Sequence, residues 1–121
     1  MRNYQTLDVW KMSMQLVKEI YLLTKNYPKE ELFALTSQTK RAAVSIPSNI
    51  AEGMGRQHKK DTLHFLHIAR GSIYELETHL HIALMTEIIY DDVFTKTLLR
   101  IDEVVKLLSG LINYLQKAEL K

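Results

Sequence analysis

The chain has 121 residues, a formal net charge of +2, no cysteine, two prolines and four glycines. This length suffices for one domain with a modest core, and the lack of cysteine excludes disulfides, thiolate metal sites and thiol nucleophiles. The net charge is too small to indicate nucleic-acid binding by itself, and no apolar run approaches the roughly 20 residues that span a bilayer. The first residues also lack the apolar stretch of a signal peptide, so we expect a cytoplasmic protein without a membrane segment.

Apolar residues recur at helical spacing in four segments, which predict helices at about 6–26, 28–53, 60–87 and 91–117. In the first helix, the stripe expected to face the core is Leu7, Trp10, Met14, Val17 and Tyr21. Pro28 begins the second helix, Gly53 and Gly55 end it, and Asp91 caps the fourth. The short connections favour a single all-α domain, an up-down-up-down antiparallel four-helix bundle.

The second predicted helix contains an interior proline, Pro47. Ala42, Ile46 and Ile50 keep the helical phase on both sides of it, whereas a broken helix would usually lose that phase. An interior proline removes one backbone hydrogen bond, here to the Ala43 carbonyl, and bends the helix. We therefore predict that the second helix is kinked at Pro47 and continues beyond it.

A polar stripe runs beside the apolar one on the second helix, about 100° round the helix axis. Antiparallel packing on the third helix could pair Glu52 with Arg70 and Arg41 with Glu77. We interpret the stripe as an inter-helix hydrogen-bond network that fixes the register. A ligand pocket or a catalytic acid at Glu52 is the alternative. The predicted network consists of Gln38, Arg41, Ser45, Asn49, Glu52, Arg70 and Glu77.

The motifs of common catalytic and metal sites are missing from the sequence. His64 and His67 share one helix face, but neither Glu-x-x-His nor His-Glu-x-x-His occurs. A phosphate-binding loop and a Gly-x-Ser-x-Gly motif are missing as well. We therefore expect no catalytic residue, no metal site and no cofactor; an enzyme built on Glu52, Asn49, Arg70 and the histidines is a minor alternative.

Charge is segregated along the chain. Residues 40–70 contain six basic and two acidic residues, whereas residues 71–95 contain five acidic residues and no lysine or arginine. Two solvated faces would produce this pattern, and so would a basic surface for an acidic partner or complementary patches between subunits. The candidates for contacting nucleic-acid phosphates are Lys40, Arg56, Lys59 and Lys60.

Three patterns carry a family resemblance: LxVWK over residues 7–11, LxxQxxRAxxSIxxNIAEG over 35–53 and ARGSxxELE over 69–77. They resemble the bacterial four-helix-bundle proteins encoded in intervening sequences of 23S ribosomal RNA genes. The resemblance implies an up-down bundle that assembles as a homopentamer around a central channel. It also implies kinship with the accessory variability protein of diversity-generating retroelements, which is basic and associates with reverse transcriptase and nucleic acid.

The residues and the resemblance lead to one main hypothesis about function. The chain is expected to be a non-enzymatic, self-assembling helical bundle that binds structured RNA or a nucleoprotein partner through its basic turn. The alternative is a purely structural or protein-interaction oligomer that does not bind nucleic acid.

Overall fold

The computed structural model describes residues 2–118, which form helices and turns but no strand. The four α-helices, named α1 to α4 in chain order, span Asp8–Thr24, Leu35–Met54, Lys59–Met85 and Asp91–Ala118. Two short 3-10 turns, Asn3–Thr6 and Lys29–Glu31, precede α1 and α2. Within residues 2–118, no helix has the length and apolar character needed to cross a membrane.

The four helices pack as a closed bundle. Each helix contacts the next one in sequence, and α1 also contacts α4; the most extensive contact is between α2 and α3. Neighbouring helices run antiparallel, since Ser45 lies against Ser72 while Gly53, later in α2, lies against Thr62, earlier in α3. The predicted all-α four-helix bundle is thereby confirmed.

The second helix begins later than predicted. Residues 28–34 were expected to open it, but they form a 3-10 turn at Lys29–Glu31 and a further turn that ends at Ala34. Ala34 has φ −122° and ψ −105°, which lies outside the helical region, so a helix cannot run through it. The Glu31 carboxylate accepts a hydrogen bond of 3.3 Å from the Leu35 N–H, one of the free amides at the start of α2. The other helix ends lie within two residues of their predicted positions.

Helix α2 runs through Pro47 without interruption, and Pro47 is buried. Side chains supply hydrogen bonds to backbone carbonyls around the proline. The Ser48 hydroxyl donates to the Val44 carbonyl at 2.8 Å, and the Asn49 amide donates to the Ser45 carbonyl at 2.8 Å. Both bonds lie in the turn around Pro47, but they reach the carbonyls after Ala43 and not the Ala43 carbonyl whose N–H partner the proline removes. The bend at Pro47 stays a prediction.

The core-facing stripe of α1 differs from the predicted one. The side chains that α1 buries are Val9, Ser13, Leu16, Ile20 and Thr24. The predicted stripe lies one residue away and is half-buried or exposed, with Met14 at 43% exposure. Both stripes repeat at helical spacing, so periodicity cannot choose between them. Ser13 and Thr24 can be buried because their hydroxyls donate to backbone carbonyls of α1 at 2.8 and 2.9 Å.

Gly53 marks a close approach of α2 and α3. A Cβ atom at this position would lie 2.9 Å from the Cβ of Phe65 and 3.0 Å from the carbonyl oxygen of Thr62. The Thr62 hydroxyl donates to the Gly53 carbonyl at 2.8 Å. Gly53 was predicted to end the second helix together with Gly55. It lies inside α2, where its lack of a side chain lets α3 approach, and α2 ends one residue later at Met54.

Candidate functional site

Part of the predicted polar network lies between α2 and α3. The Ser45 and Ser72 hydroxyls share a hydrogen bond of 2.8 Å, and the Asn49 amide donates to the Ser45 hydroxyl at 2.9 Å. The Ser72 hydroxyl also donates to a backbone carbonyl of α3 at 3.2 Å. Gln38 and Arg41 are exposed on α2. A series of hydrogen bonds from Asn49 through Ser45 to Ser72 therefore joins α2 to α3, and it ends at a backbone carbonyl of α3.

Arg70 and Glu77 belong to a different side of α3. A helix turns about 100° per residue, so these two residues lie about 140–160° round α3 from Ser72, the residue that contacts α2. The expected pair of Arg41 with Glu77 is not formed within residues 2–118. The spacing of seven residues shows that Arg70 and Glu77 share one face of α3, but it does not show which face of α3 meets α2.

The expected pair of Glu52 with Arg70 is also not formed in the described part of the chain. Glu52 binds Arg56, four residues later, at 3.2 Å, and both side chains are exposed. The Arg70 guanidinium donates to Nδ1 of His67 at 3.0 Å. With Gly53 opposite Thr62, Glu52 lies about two turns of α3 away from Arg70 along the bundle. Glu52 and Arg70 therefore each bind a residue three or four positions away in sequence instead of each other.

Three of the four predicted phosphate-binding residues come together at one end of the bundle. Arg56 follows α2, and Lys59 and Lys60 begin α3. The Arg56 guanidinium is engaged by Glu52 and lies 4.8 Å from the centre of the Phe65 ring. Lys60 is exposed and Lys59 half-buried. The two lysines are therefore the cations of this turn that remain available to a ligand.

Further basic residues reach the same end of the bundle. The N-terminal segment packs beside the end of α2, since Arg2 and Tyr4 line one depression with Met54 and Gly55. Lys117 lies in the last turn of α4, which reaches this end because α4 runs antiparallel to α3. Residues 2–6, 54–60 and 115–118 contain five basic residues, and Asp8, Glu52 and Asp61 are the acidic residues within 2–118 that flank these ranges. We call this the basic end; Arg2 and Lys117 are distant in sequence from the turn, so only the fold reveals them.

Lys40 lies apart from the basic end. Its ammonium group is 4.8 Å from the centre of the Tyr21 ring, on the side of α2 that faces α1. Fourteen residues of α2 separate it from Met54, which corresponds to about 20 Å along the helix. The structure therefore does not bring Lys40 together with Arg56, Lys59 and Lys60.

An open groove follows the outer face of α1 and α2. Two adjoining depressions of about 580 and 390 Å³ share Val44 in their walls. The apolar wall includes Trp10, Met14, Val17, Tyr21, Phe33 and Val44. Lys40 and Arg41 stand at one part of its rim. We call this the α1–α2 groove; except for Leu7, it contains the α1 stripe that the sequence assigns to the core.

The histidines do not converge. His64 packs edge-on against Phe65, with ring centres 5.5 Å apart, and His81 packs likewise against Phe94 at 4.9 Å. His79 is buried, and its Nδ1 has no hydrogen-bond partner among the described residues. Within residues 2–118, no three His, Asp or Glu side chains are grouped in a way that could hold a metal ion.

Polar groups are less well satisfied near the connection between α1 and α2. Tyr27 is buried, and its hydroxyl has no hydrogen-bond partner among the described residues. Burial raises the pKa of Tyr27 to about 12, because the phenolate would be poorly solvated there. The buried hydroxyls of Thr36 and Thr39, in the first turns of α2, also have no partner in the described chain.

The sequence and the fold are similar to those of known proteins. The family described as 23S rRNA-intervening sequence protein matches residues 5–110. A crystal structure of a protein with unknown function from the S23 ribosomal protein family of Bacteroides thetaiotaomicron has a TM-score of 0.81 with this chain. The two are 28% identical, and the match covers 87% of this chain and 95% of that one. No curated protein matches the sequence.

Proposed function

The chain belongs to the family of 23S rRNA-intervening sequence proteins, and from this premise we propose that it is a non-enzymatic, self-assembling bundle that binds structured RNA or a nucleoprotein partner. The basic end is the binding surface. The observation that carries the proposal is the net positive charge of that end, where five basic residues outnumber the acidic residues Asp8, Glu52 and Asp61 beside them.

Folded RNA suits such a surface. Proteins recognise double-stranded RNA mainly through its shape and its phosphates, which a cluster of flexible lysines can follow without reading bases. Lys60 is exposed at the start of α3, and Arg2 is exposed beside the same turn. Arg56 contributes less, since its charge is already balanced by Glu52. We therefore assign the phosphate contacts chiefly to Arg2, Lys59 and Lys60.

Self-assembly would multiply this surface. A homopentamer, the state that the family resemblance implies, would present five basic ends on one side if its axis ran along the bundles. Several weak contacts on one rigid body bind a folded RNA far more tightly than one contact does. The pentamer is tested by light scattering, where it should show five times the 14.1 kDa of one chain. A single-chain mass at tens of micromolar would contradict it.

A second function is favoured by the apolar α1–α2 groove. Large exposed apolar patches mark surfaces that bind other proteins. On this alternative the chain is a structural or protein-interaction oligomer, and the basic end is a solvated surface with no RNA partner.

RNA binding measured across a salt series separates the two functions. We expect log K for a structured RNA stem-loop to fall linearly with log salt concentration, by about 0.7–0.9 per phosphate contact. Lys59→Ala/Lys60→Ala should weaken binding and make the slope shallower. Lys96→Ala/Lys106→Ala, which removes two exposed lysines of α4, is the matched control and should leave both unchanged. A slope near zero, or no binding at low salt, would exclude the RNA function.

A further inference from the structure

The α1–α2 groove has the composition of an interface that the described chain leaves open. Phe33, in the turn before α2, is 94% exposed, and Met14, Tyr21 and Val44 are also exposed. These side chains line the groove together, so they form a continuous apolar surface, which is unusual for a monomer. Such a surface indicates a protein partner.

The rim of the groove indicates the charge of that partner. Lys40 and Arg41 both border the depression that contains Tyr21 and Phe33. An apolar segment that carries carboxylates would cover the apolar wall and pair with both cations. The occupant should therefore be an exposed apolar corner flanked by Asp or Glu.

The chain itself carries such a corner, residues 85–92, which we call the α3–α4 corner. Met85 and Tyr90 are strongly exposed there, and Glu87, Asp91 and Asp92 are exposed beside them. Lysine and arginine do not occur between residues 71 and 95. The corner thus offers the apolar side chains and the acidic charge that the groove requires.

Hydrogen bonds also fix the backbone of the α3–α4 corner. The backbone N–H groups of Ile88 and Ile89 both donate to the Ala83 carbonyl, at 2.8 and 3.2 Å, and Ile89 is buried. Glu87 adopts the left-handed conformation with φ 62°, which closes the turn. A corner fixed in this way loses little conformational entropy when it docks.

Groove and corner lie at the same level of the bundle. The end of α1, the start of α2, the end of α3 and the start of α4 all meet at one end, because neighbouring helices run antiparallel. The groove faces outward from the α1–α2 side, and the corner joins α3 to α4 on the opposite side. Two different patches at one level produce a head-to-tail contact that can close into a ring of parallel copies.

We propose that the α1–α2 groove of one copy receives the α3–α4 corner of a second copy of this chain. Tyr90 and Met85 lie on the apolar wall, and Asp91 and Asp92 face Lys40 and Arg41. The proposal rests on the self-assembly proposed above and names the two surfaces that produce it.

Charge reversal and restoration test the contact directly. Lys40→Glu/Arg41→Glu reverses the groove, and Asp91→Lys/Asp92→Lys reverses the corner. We expect each double reversal to lower the mass measured by light scattering at tens of micromolar, and the chain carrying all four changes to recover the wild-type mass. Recovery requires that the two pairs face each other. Lowered masses without recovery would overturn the pairing, provided that circular dichroism shows the four-change chain folded.

Exposed aromatic residues supply variants that should not affect folding. Phe33→Ser in the groove and Tyr90→Ser in the corner should each raise the dissociation constant of the oligomer by about tenfold or more. Tyr114→Ser is the matched control, because Tyr114 on α4 is 70% exposed and Tyr90 64%. The control should keep the wild-type mass.

The outcomes distinguish this proposal from the one it rests on. A wild-type chain that is monomeric overturns self-assembly and this contact together. If the wild type assembles but neither Phe33→Ser nor Tyr90→Ser changes its mass, this contact is wrong while self-assembly stands. If only Phe33→Ser weakens assembly, a different part of the second copy occupies the groove, and the assignment of the corner is overturned.

Discussion

The α2–α3 contact and the α1–α2 face are both built from helices adjacent in sequence, yet they are opposite in character. The α2–α3 contact is closed: Gly53 admits α3 closely, and Ser45 and Ser72 pair their hydroxyls. The α1–α2 face is open: it has an apolar groove, and near it the buried hydroxyls of Tyr27 and Thr36 find no partner within residues 2–118. Small side chains close one contact, whereas bulky apolar side chains line the open groove of the other.

Substitutions on the two stripes of α1 should show the largest difference. Leu16 is fully buried, so Leu16→Ala should lower the free energy of unfolding by about 2–5 kcal/mol through lost contacts and a cavity. Met14→Ala, in the groove wall, should lower it by less than about 1 kcal/mol in dilute protein. Urea unfolding monitored by circular dichroism measures both. Equal losses would mean that both stripes are packed within the monomer.

Gly53 tests how closed the α2–α3 contact is. Gly53→Ala should destabilise the bundle by about 1–3 kcal/mol, because the added methyl would crowd the Cβ of Phe65 and the Thr62 carbonyl. Gly71→Ala is the matched control: nothing lies within 4 Å of its Cβ position in α3. The control should stabilise the protein by up to about 1 kcal/mol through helix propensity. A neutral Gly53→Ala variant would show that α2 and α3 can separate at little cost.

The hydroxyl pair between α2 and α3 should have a smaller effect. Ser45→Ala should destabilise by about 1 kcal/mol, since it leaves the buried Ser72 hydroxyl and the Asn49 amide with one partner fewer. Ser48→Ala, which removes an exposed hydroxyl bonded only within α2, is the control and should change stability by less than about 0.5 kcal/mol. A double-mutant cycle of Ser45→Ala with Ser72→Ala that shows no coupling would contradict the pairing.

Tyr27 should give the smallest effect near neutral pH and a distinct one at alkaline pH. The pKa of Tyr27 rises from 10.0 to about 12 in the folded chain. The folded state therefore holds the proton more tightly, and stability from this group is complete below about pH 10 and is lost as the pH rises toward 12. Tyr27→Phe should flatten the fall in melting temperature over that range and should be close to neutral at pH 7. Tyr114→Phe, at an exposed site, should instead follow the wild type.

The sequence predicts the number and type of helices well because long apolar repeats at helical spacing have few other interpretations. It predicts continuity through Pro47 for the same reason. It places the start of the second helix too early, since Pro28 and the acidic residues after it begin a short 3-10 turn, and the non-helical backbone of Ala34 separates that turn from α2. Boundaries depend on contacts that a local pattern does not contain.

The sequence predicts the positions of the helices better than it predicts which side chains lie together on the surface. The sequence cannot decide which of the two stripes of α1 faces the core, because one of them contains Ser13 and Thr24, whose burial depends on hydrogen bonds to the helix backbone. It also cannot tell that Arg2 joins the basic turn, or that Lys40 does not. These placements follow from how helices rotate about their axes and meet at the ends of the bundle.

The contact between α1 and α4 has a consequence for the order of folding. It is the only contact in the described bundle between α-helices that are not consecutive in the chain, and Glu19 and Arg100 bridge it at 2.9 Å. The other three contacts close short loops, whereas this one must bring together segments about eighty residues apart, which carries a larger entropic cost. We expect α2 and α3 to pair early and the α1–α4 contact to form last, so that rapid folding depends on the hairpins.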